Sequence, residues 1–159
     1  MNDQAGRPVD PNQLAAAVYM HDAGMALLPL ELINSQNVLT DEQRDQIHQH
    51  TVIGYELMRY MHNWHEASLM VLQHHEQVDG KGYPYGLKEA EICEGAKIIA
   101  IVDMVDARSH ERAHAMLLKR PLLRAAIELG KHSGQQFSEK WVNVFKEVFQ
   151  EMRSLKKEV

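Results

Sequence analysis

The hydrophobic residues of the chain cluster in segments whose length and spacing predict helices. Segment 14–20 (LAAAVYM) is short and almost uniformly apolar, as expected for a buried helix. The run 96–107 (AKIIAIVDMVDA) has the β-branched content of a strand, but its length and its two aspartates favour a buried helix. Near the C-terminus, five apolar residues recur at i, i+3/i+4 spacing and predict a helix that packs on the core: Trp141, Val144, Phe145, Val148 and Phe149.

Capping residues and helix breakers set the expected ends of the other helices. Thr40 and Gln43 have the spacing of a capping box, so a helix is expected from Thr40 to about Met61. Segment 79–86 (DGKGYPYG) cannot be helical, because it holds three glycines and a proline in eight residues. The remaining helices are expected at 66–75, at 121–131 with Pro121 in the first turn, and after an N-cap at Ser138.

These elements predict an all-α fold. The polar opening, residues 1–13, holds two prolines and is expected to be a flexible lead-in to a helical domain over residues 14–153. The length of 159 residues is that of about one domain and allows a core that needs no disulfide or structural zinc. Cys93 is the only cysteine, which fits a reducing compartment.

Charge and hydropathy narrow the classes of partner. The chain has 17 Lys and Arg against 22 Asp and Glu, a formal net charge of −5, which argues against broad electrostatic binding of DNA or RNA. No apolar run approaches the ~20 residues of a membrane helix, and the N-terminus lacks the hydrophobic core of a signal peptide. We therefore expect a cytoplasmic protein without a membrane span.

Ten histidines are dispersed along the chain and give the first indication of metal chemistry. Asp103 lies within an apolar helix, where an unpaired charge costs several kcal/mol, and no lysine or arginine lies one turn away on the same face. Pairing with a distant arginine, or capping of another helix, is the alternative to metal binding. Potential ligands in such apolar or broken contexts are His21, Asp22, His50, His74, His75 and Asp103; the histidines at 48, 62, 65, 110 and 132 are expected to be exposed and not to bind metal.

The adjacent pairs His21-Asp22 and His74-His75 each end an apolar helix. Neighbouring side chains on a helix point about 100° apart, so they cannot both aim at one point from a regular helix interior. At a helix end they can reach two different ions about 3.5–4 Å apart, and the two oxygens of Asp22 could bridge such a pair. Imidazole and carboxylate ligands without thiolate favour Fe, Mn or similar divalent ions over structural Zn.

Together these residues resemble the HD-GYP proteins, a branch of the HD phosphohydrolase superfamily. The doublet His21-Asp22 matches the residues that name the superfamily, and HHEQVDGKGYPYGL (74–87) is close to the signature HHExxDGxGYPxGL. The resemblance covers roughly residues 14–149. Further similar segments are LTDEQRDQIHQHTVIGYELM (39–58), AKIIAIVDMVDARSHER (96–112) and the run at 134–137.

The resemblance implies a compact helical bundle around two or three metal ions, with cyclic di-GMP hydrolysed to pGpG and on to GMP. Of two divalent ions, Fe or Mn, one would bind His21, Asp22 and Asp103. The second would bind His50, His74 and His75, with Asp22 reaching both ions; Asp22 and Asp103 are the expected catalytic residues. The residues that would shape the loop over the substrate or face a partner are Asp79, Gly80, Gly82, Tyr83 and Pro84. Arg112 would contact a phosphate or guanine, with a solvated arginine as the alternative.

Two departures from the family pattern keep a second interpretation open. Met25 stands where a lysine usually follows the doublet, and residues 1–20 contain neither the histidine nor the glutamate expected on an upstream ligand helix. The alternative is a degenerate domain that binds cyclic di-GMP or a protein, such as a diguanylate cyclase domain docked on the GYP loop. A homodimer is also an expected assembly. A hydrolase of ordinary nucleotides is disfavoured, because the GYP signature is more specific than the doublet.

Overall fold

The computed structural model describes residues 1–110 and 121–155, and this part of the chain consists of helices and turns, with no strand beyond isolated bridges. The predicted all-α class is therefore confirmed. A short 3₁₀ helix, Ala23–Leu27, lies between α1 and α2. The α-helices are α1 (Pro11–Met20), α2 (Leu30–Ile33), α3 (Asp41–Arg59), α4 (His65–Gln73), α5 (Glu94–His110), α6 (Pro121–Lys131) and α7 (Glu139–Leu155).

The N-terminal residues contribute to the packed domain. Helix α1 begins at Pro11, three residues earlier than expected, because the Asp10 carboxylate caps it by accepting hydrogen bonds from the next turn. Val9 is buried in the core, and Met1 and Ala5 pack against it. Part of the segment expected to be a flexible lead-in thus covers apolar surface.

The capping box predicted for α3 is confirmed. The Thr40 hydroxyl accepts a hydrogen bond from the Gln43 backbone N–H at 3.3 Å, and the Gln43 side-chain oxygen accepts one from the Thr40 N–H at 3.0 Å. Both bonds satisfy backbone donors that the first turn of a helix leaves unpaired. The helix ends at Arg59, two residues before the expected end.

The 3₁₀ helix that follows the His21-Asp22 doublet rests directly on α3. A Cβ at Gly24 would collide with the backbone carbonyl of His50 and lie 2.9 Å from the Gly54 nitrogen. Only glycine therefore allows this backbone approach. The contact brings Asp22 beside His50, although the two residues lie on different elements.

A half-buried polar junction connects the start of α5 to α7. The Glu94 carboxylate accepts hydrogen bonds from Lys97 at 2.8 Å, Lys140 at 2.7 Å and the Trp141 indole N–H at 2.9 Å. Burial raises the pKa of Glu94, but the bonds from Lys140 and Lys97 outweigh it and hold the pKa at about 2. Trp141 is fully buried, as the predicted apolar stripe requires. Within residues 1–110 and 121–155, no helix has the length and apolar character needed to cross a membrane.

Candidate metal centre and its cavity

Three histidines that are distant in sequence are oriented by the same local device. In His21, His50 and His74 the Nδ1 atom lies 2.7–2.8 Å from the backbone carbonyl three residues earlier. A carbonyl can only accept, so Nδ1 carries the proton and donates it. The lone pair of each neutral ring is then on Nε2, which is the arrangement that metal-binding histidines adopt.

The Nε2 atoms of His50 and His74 are buried and have no hydrogen-bond partner among residues 1–110 and 121–155. Both residues are nearly inaccessible, with 2% and 1% of their surface exposed. An unsatisfied polar atom in such a place costs about 1–3 kcal/mol, and native proteins rarely leave one unpaired. A cation bound between these rings would satisfy both atoms, so the residues present fit a metal ion.

The Asp22 carboxylate lies between two groups of side chains. Its Oδ2 atom is 3.3 Å from His21 Nε2, while its Oδ1 atom is 3.5 Å from His50 Nε2 and 3.9 Å from His74 Nε2. Asp22, His50, His74 and His75 each offer a ligand atom within 4.8 Å of the others, a set that could hold a metal ion. The side chain of Asp22 is 56% exposed, so the cluster opens to solvent on its side.

Asp103 joins the cluster from α5. Its Oδ1 atom lies 3.9 Å from His21 Nε2, on the side that Asp22 Oδ2 faces. Burial, followed by the negative charge of Asp22, raises the pKa of the Asp103 carboxyl. The structure thus brings together all six side chains that the sequence singles out between positions 21 and 103; their role as ligands stays a prediction.

The charge states of the cluster follow from its contacts. Burial lowers the pKa of His74 to about 4 and that of His75 to about 2, so both rings are neutral near pH 7 and able to bind a cation. The hydrogen bond between His21 and Asp22 raises the pKa of His21 to about 9 and lowers that of Asp22 to about 2. In the metal-free protein a proton on His21 therefore competes with a cation for this side of the cluster.

The glycine-rich loop after His75 is held by Glu76, a residue that the sequence reasoning missed. The carboxylate of Glu76 is buried, with 4% of the residue exposed, and accepts hydrogen bonds from the backbone N–H groups of Tyr85 at 2.7 Å and Leu87 at 2.9 Å. The sequence feature that could have identified Glu76 is its position directly after the two histidines. We call this arrangement the Glu76 clasp.

The predicted loop residues shape the loop in different ways. Asp79 accepts hydrogen bonds from the Lys81 backbone N–H at 3.1 Å and its ammonium at 2.8 Å, so its carboxylate closes a turn. A Cβ at Gly82 would collide with the backbone of residues 75–77, and Gly80 has a φ of +83° that favours glycine. Pro84 follows Tyr83 through a cis peptide bond.

Tyr83 extends from this loop to the rings of His48 and His75. Its ring stacks on His48, with centroids 3.7 Å apart and planes 13° apart, and lies 4.9 Å from the His75 ring. Burial raises the pKa of the Tyr83 phenol, so the hydroxyl stays protonated and can donate a hydrogen bond. His48 was expected to be exposed and not to bind metal. It is half-buried, because Tyr83 covers it.

A cavity of about 350 Å³ lies beside the cluster, within the range of small-molecule sites. Its walls come from α5, from the end of α4 with the loop, and from the segment before α7, and include His75, Tyr83, Asp103, Arg108, Gln136 and Phe137. Met25 is half-buried in the 3₁₀ helix, where its N–H donates to the Asp22 carbonyl at 2.9 Å. Arg112, a predicted phosphate contact, lies outside the described residues.

The helices thus bring a His-Asp cluster that could hold a metal ion to the side of a cavity of small-molecule size. The family model for the HD domain matches residues 3–137, so the chain belongs to the HD domain family. This confirms the superfamily that the His21-Asp22 doublet indicates. The match also includes residues 3–10, ahead of α1.

Several curated proteins are similar to this chain. A cyclic di-GMP phosphodiesterase of Thermotoga maritima is 32% identical over 84% of the chain and 36% of its own length. The cyclic di-GMP phosphodiesterase response regulator RpfG of Xanthomonas campestris is 36% identical over 57% of the chain and 25% of its own length. The cyclic di-GMP phosphodiesterase PA4108 of Pseudomonas aeruginosa is 31% identical over 62% and 24%. The chain thus spans between a quarter and about a third of the length of these relatives.

Proposed function

We propose that this chain is a metal-dependent phosphodiesterase that hydrolyses cyclic di-GMP to pGpG and GMP. The observation that carries the proposal is the Asp22 carboxylate, whose two oxygens face two separate groups of ligand-type side chains beside a cavity. The names of the similar proteins support the substrate, since each of the three is a cyclic di-GMP phosphodiesterase.

We propose two divalent ions, Fe or Mn, held on the two sides of Asp22. His21 and Asp103 lie on the Oδ2 side, whereas His50 and His74 lie on the Oδ1 side together with His75. These donors are imidazoles and carboxylates without a thiolate, a set that suits Fe and Mn. Such ions, when bound, supply Lewis acidity that activates water and stabilises charge developing on phosphorus.

In this proposal the side chains of the cluster and of the neighbouring loop position the substrate. Asp22 is anionic at neutral pH, so each of its two oxygens can bind a cation. Tyr83 lies against the His75 ring, and its protonated hydroxyl can donate a hydrogen bond to an acceptor in the cavity. The Glu76 clasp fixes the loop that carries Tyr83. We expect phosphodiester oxygens at the Asp22 end and a nucleoside in the cavity.

Activity is tested with purified protein loaded with Mn²⁺ or Fe²⁺ and given cyclic di-GMP, with pGpG and GMP resolved by chromatography. Asp22→Asn should lower kcat by about a hundredfold or more, because it removes the shared charge. Asp41→Asn is the matched control, since Asp41 is an exposed carboxylate on α3 that pairs with Arg44 and lies outside the cavity. Wild-type protein without turnover under either metal would refute the proposal.

Metal content gives a readout independent of turnover. Protein purified without chelator should contain two equivalents of iron or manganese by elemental analysis. His50→Gln should lose metal, because it removes a buried Nε2 that has no hydrogen-bond partner in the described part of the chain. His62→Gln should not, because His62 is exposed. Equal metal content in the two variants would contradict the ligand assignment.

We also propose that the glycine-rich loop at 79–86, which contains the GYP sequence, docks diguanylate cyclase domains. We further propose that the chain forms a homodimer. The outward side chains of the loop support the first proposal, because Lys81 and Tyr85 are largely exposed. Tyr19 and Val18 on α1 support the second, because both expose apolar surface. Tyr85→Ser should weaken cyclase binding without changing the mass of the assembly in solution, whereas Tyr19→Ser should do the reverse. A cytoplasmic location stays a prediction from the sequence.

A further inference from the structure

Arg108 forms part of the wall of the cavity that His74 and His75 also line. It lies on α5, little more than one turn after Asp103, and both side chains line the same cavity. Among the described residues that line this cavity, Arg108 is the only lysine or arginine. Arg112, and not Arg108, is the arginine that the sequence predicts to contact the substrate.

Glu128 on α6 fixes the position of this guanidinium. Its Oε1 atom lies 2.8 Å from Arg108 Nη2, so the ion pair connects α5 to α6 at the wall of the cavity. The side chain of Arg108 is 40% exposed and that of Glu128 is 30% exposed. A guanidinium carries several N–H donors in a planar fork and can bind two anions at once, so the pair with Glu128 is compatible with a second, anionic ligand.

The charges around the cavity give Arg108 a function there. The other ionisable side chains of the wall include Asp103 and Glu76, whose carboxylates have the same sign as a phosphodiester. The 3₁₀ helix beside the cluster has the sequence AGMAL and offers no cation. A cyclic dinucleotide carries two phosphodiester groups, and the metal-binding cluster can face only the one that reacts.

We propose that Arg108, oriented by Glu128, binds a phosphate group of the cyclic dinucleotide and so sets substrate affinity. The proposal rests on the proposed function, because it assumes that a cyclic dinucleotide occupies the cavity. Arg108 is a substrate-binding residue in this account, and Glu128 is a positioning residue. The geometry accounts for an arginine here, since its fork matches the paired oxygens of a phosphate and its length reaches both Glu128 and the cavity.

The test is the KM for cyclic di-GMP of the Mn²⁺-loaded protein, with equilibrium dialysis of the same nucleotide as a second readout. Arg108→Ala should raise KM about tenfold or more, the effect of losing a hydrogen bond to a charged group, with a smaller change in kcat. Arg108→Lys should recover part of the affinity, because it keeps the charge without the fork. Arg124→Ala is the matched control, since Arg124 is exposed on α6 and does not line the cavity.

Glu128→Gln separates substrate binding from a structural ion pair. If Arg108 only joins α5 to α6, then Arg108→Ala and Glu128→Gln should lower the thermal midpoint equally and leave KM unchanged, which would overturn the proposal. If Arg108 binds phosphate, Arg108→Ala should raise KM far more than Glu128→Gln does. A wild-type protein that turns over cyclic di-GMP with a KM insensitive to Arg108→Ala overturns this proposal alone. A wild-type protein that neither binds nor hydrolyses the nucleotide overturns the proposed function as well.

Discussion

Removal of the Glu76 clasp should destabilise the domain and loosen the loop that carries Tyr83. The buried carboxylate accepts two backbone hydrogen bonds, from Tyr85 at 2.7 Å and Leu87 at 2.9 Å. A hydrogen bond to a charged group contributes about 1.5–3 kcal/mol. Water can replace part of the loss, because Tyr85 is exposed and Leu87 is half-buried. We therefore take the lower end for each bond and expect Glu76→Ala to cost about 3 kcal/mol.

The assay is equilibrium unfolding in urea, followed by circular dichroism, together with the thermal midpoint. For a domain of this size a loss of about 3 kcal/mol lowers the thermal midpoint by about 6–12 °C. Glu76→Gln should retain part of the stability. Its amide keeps one acceptor of similar shape but turns an NH₂ group toward the other N–H donor. The turnover of cyclic di-GMP should fall in both variants, because the loop no longer holds Tyr83 in place.

Glu91→Ala is the control for this prediction. Glu91 is an exposed glutamate at the end of the same loop, and it accepts one backbone hydrogen bond, from Lys88 at 2.9 Å. Its loss should cost less than about 1 kcal/mol. If Glu76→Ala and Glu91→Ala unfold at the same urea concentration, burial of the clasp does not stabilise the loop and the reasoning fails.

Three further predictions concern other parts of the domain. Met25→Lys should raise kcat for cyclic di-GMP about tenfold or more by adding a cation beside the reacting phosphate, whereas Met25→Leu should change nothing; equal rates would show that no cation is missing. Glu94→Gln should cost about 1–2 kcal/mol at pH 7, a figure discounted because the Glu94 side chain is 34% exposed. The pKa of Glu94 in the folded protein, about 2, lies below its ordinary value of 4.5. The difference in free energy of unfolding between the wild type and Glu94→Gln, measured in urea, should therefore be complete above pH 4.5 and disappear as the pH falls toward 2. Gly24→Ala should cost about 1–3 kcal/mol and weaken Mn²⁺ binding in calorimetry, because its Cβ pushes the 3₁₀ helix away from α3, whereas Gly130→Ala, with neighbours no closer than 3.9 Å, should leave Mn²⁺ binding unchanged.

The helices were largely predictable because each rests on local physics. The capping box at Thr40 and Gln43 acts within one turn, and it appears in the structure with both of its bonds. Helix α6 begins at Pro121, as expected, because proline at the first turn removes a donor that would have had no partner. Helix α1 begins earlier in the chain than predicted, because the prediction did not include the Asp10 cap or the burial of Val9 in the core.

The residue types of the candidate site could also be predicted from the sequence. His21-Asp22 and His74-His75 stand where apolar helices end, and Asp103 stands within an apolar run, so each was out of place for packing alone. Their convergence was a hypothesis. The structure supports it with distances of 3.3–3.9 Å among His21, Asp22, His50, His74 and Asp103, and with a ligand atom of His75 within 4.8 Å of those of Asp22, His50 and His74. Glu76, His48 and Arg108 were passed over, because their partners are remote backbone groups, a loop ring and a carboxylate on another helix.

The sequence by itself determined the helical class, the caps that begin individual helices, and the set of imidazoles and carboxylates available to bind metal. Those properties depend on neighbours within a turn or on the chemistry of single side chains. Only the tertiary structure decided which Asp22 oxygen faces which histidine, how Glu76 closes the loop, and that Arg108 reaches the cavity. Those relations depend on how close two helices approach, which is set by packing of residues far apart in the chain, such as Gly24 against the backbone of His50.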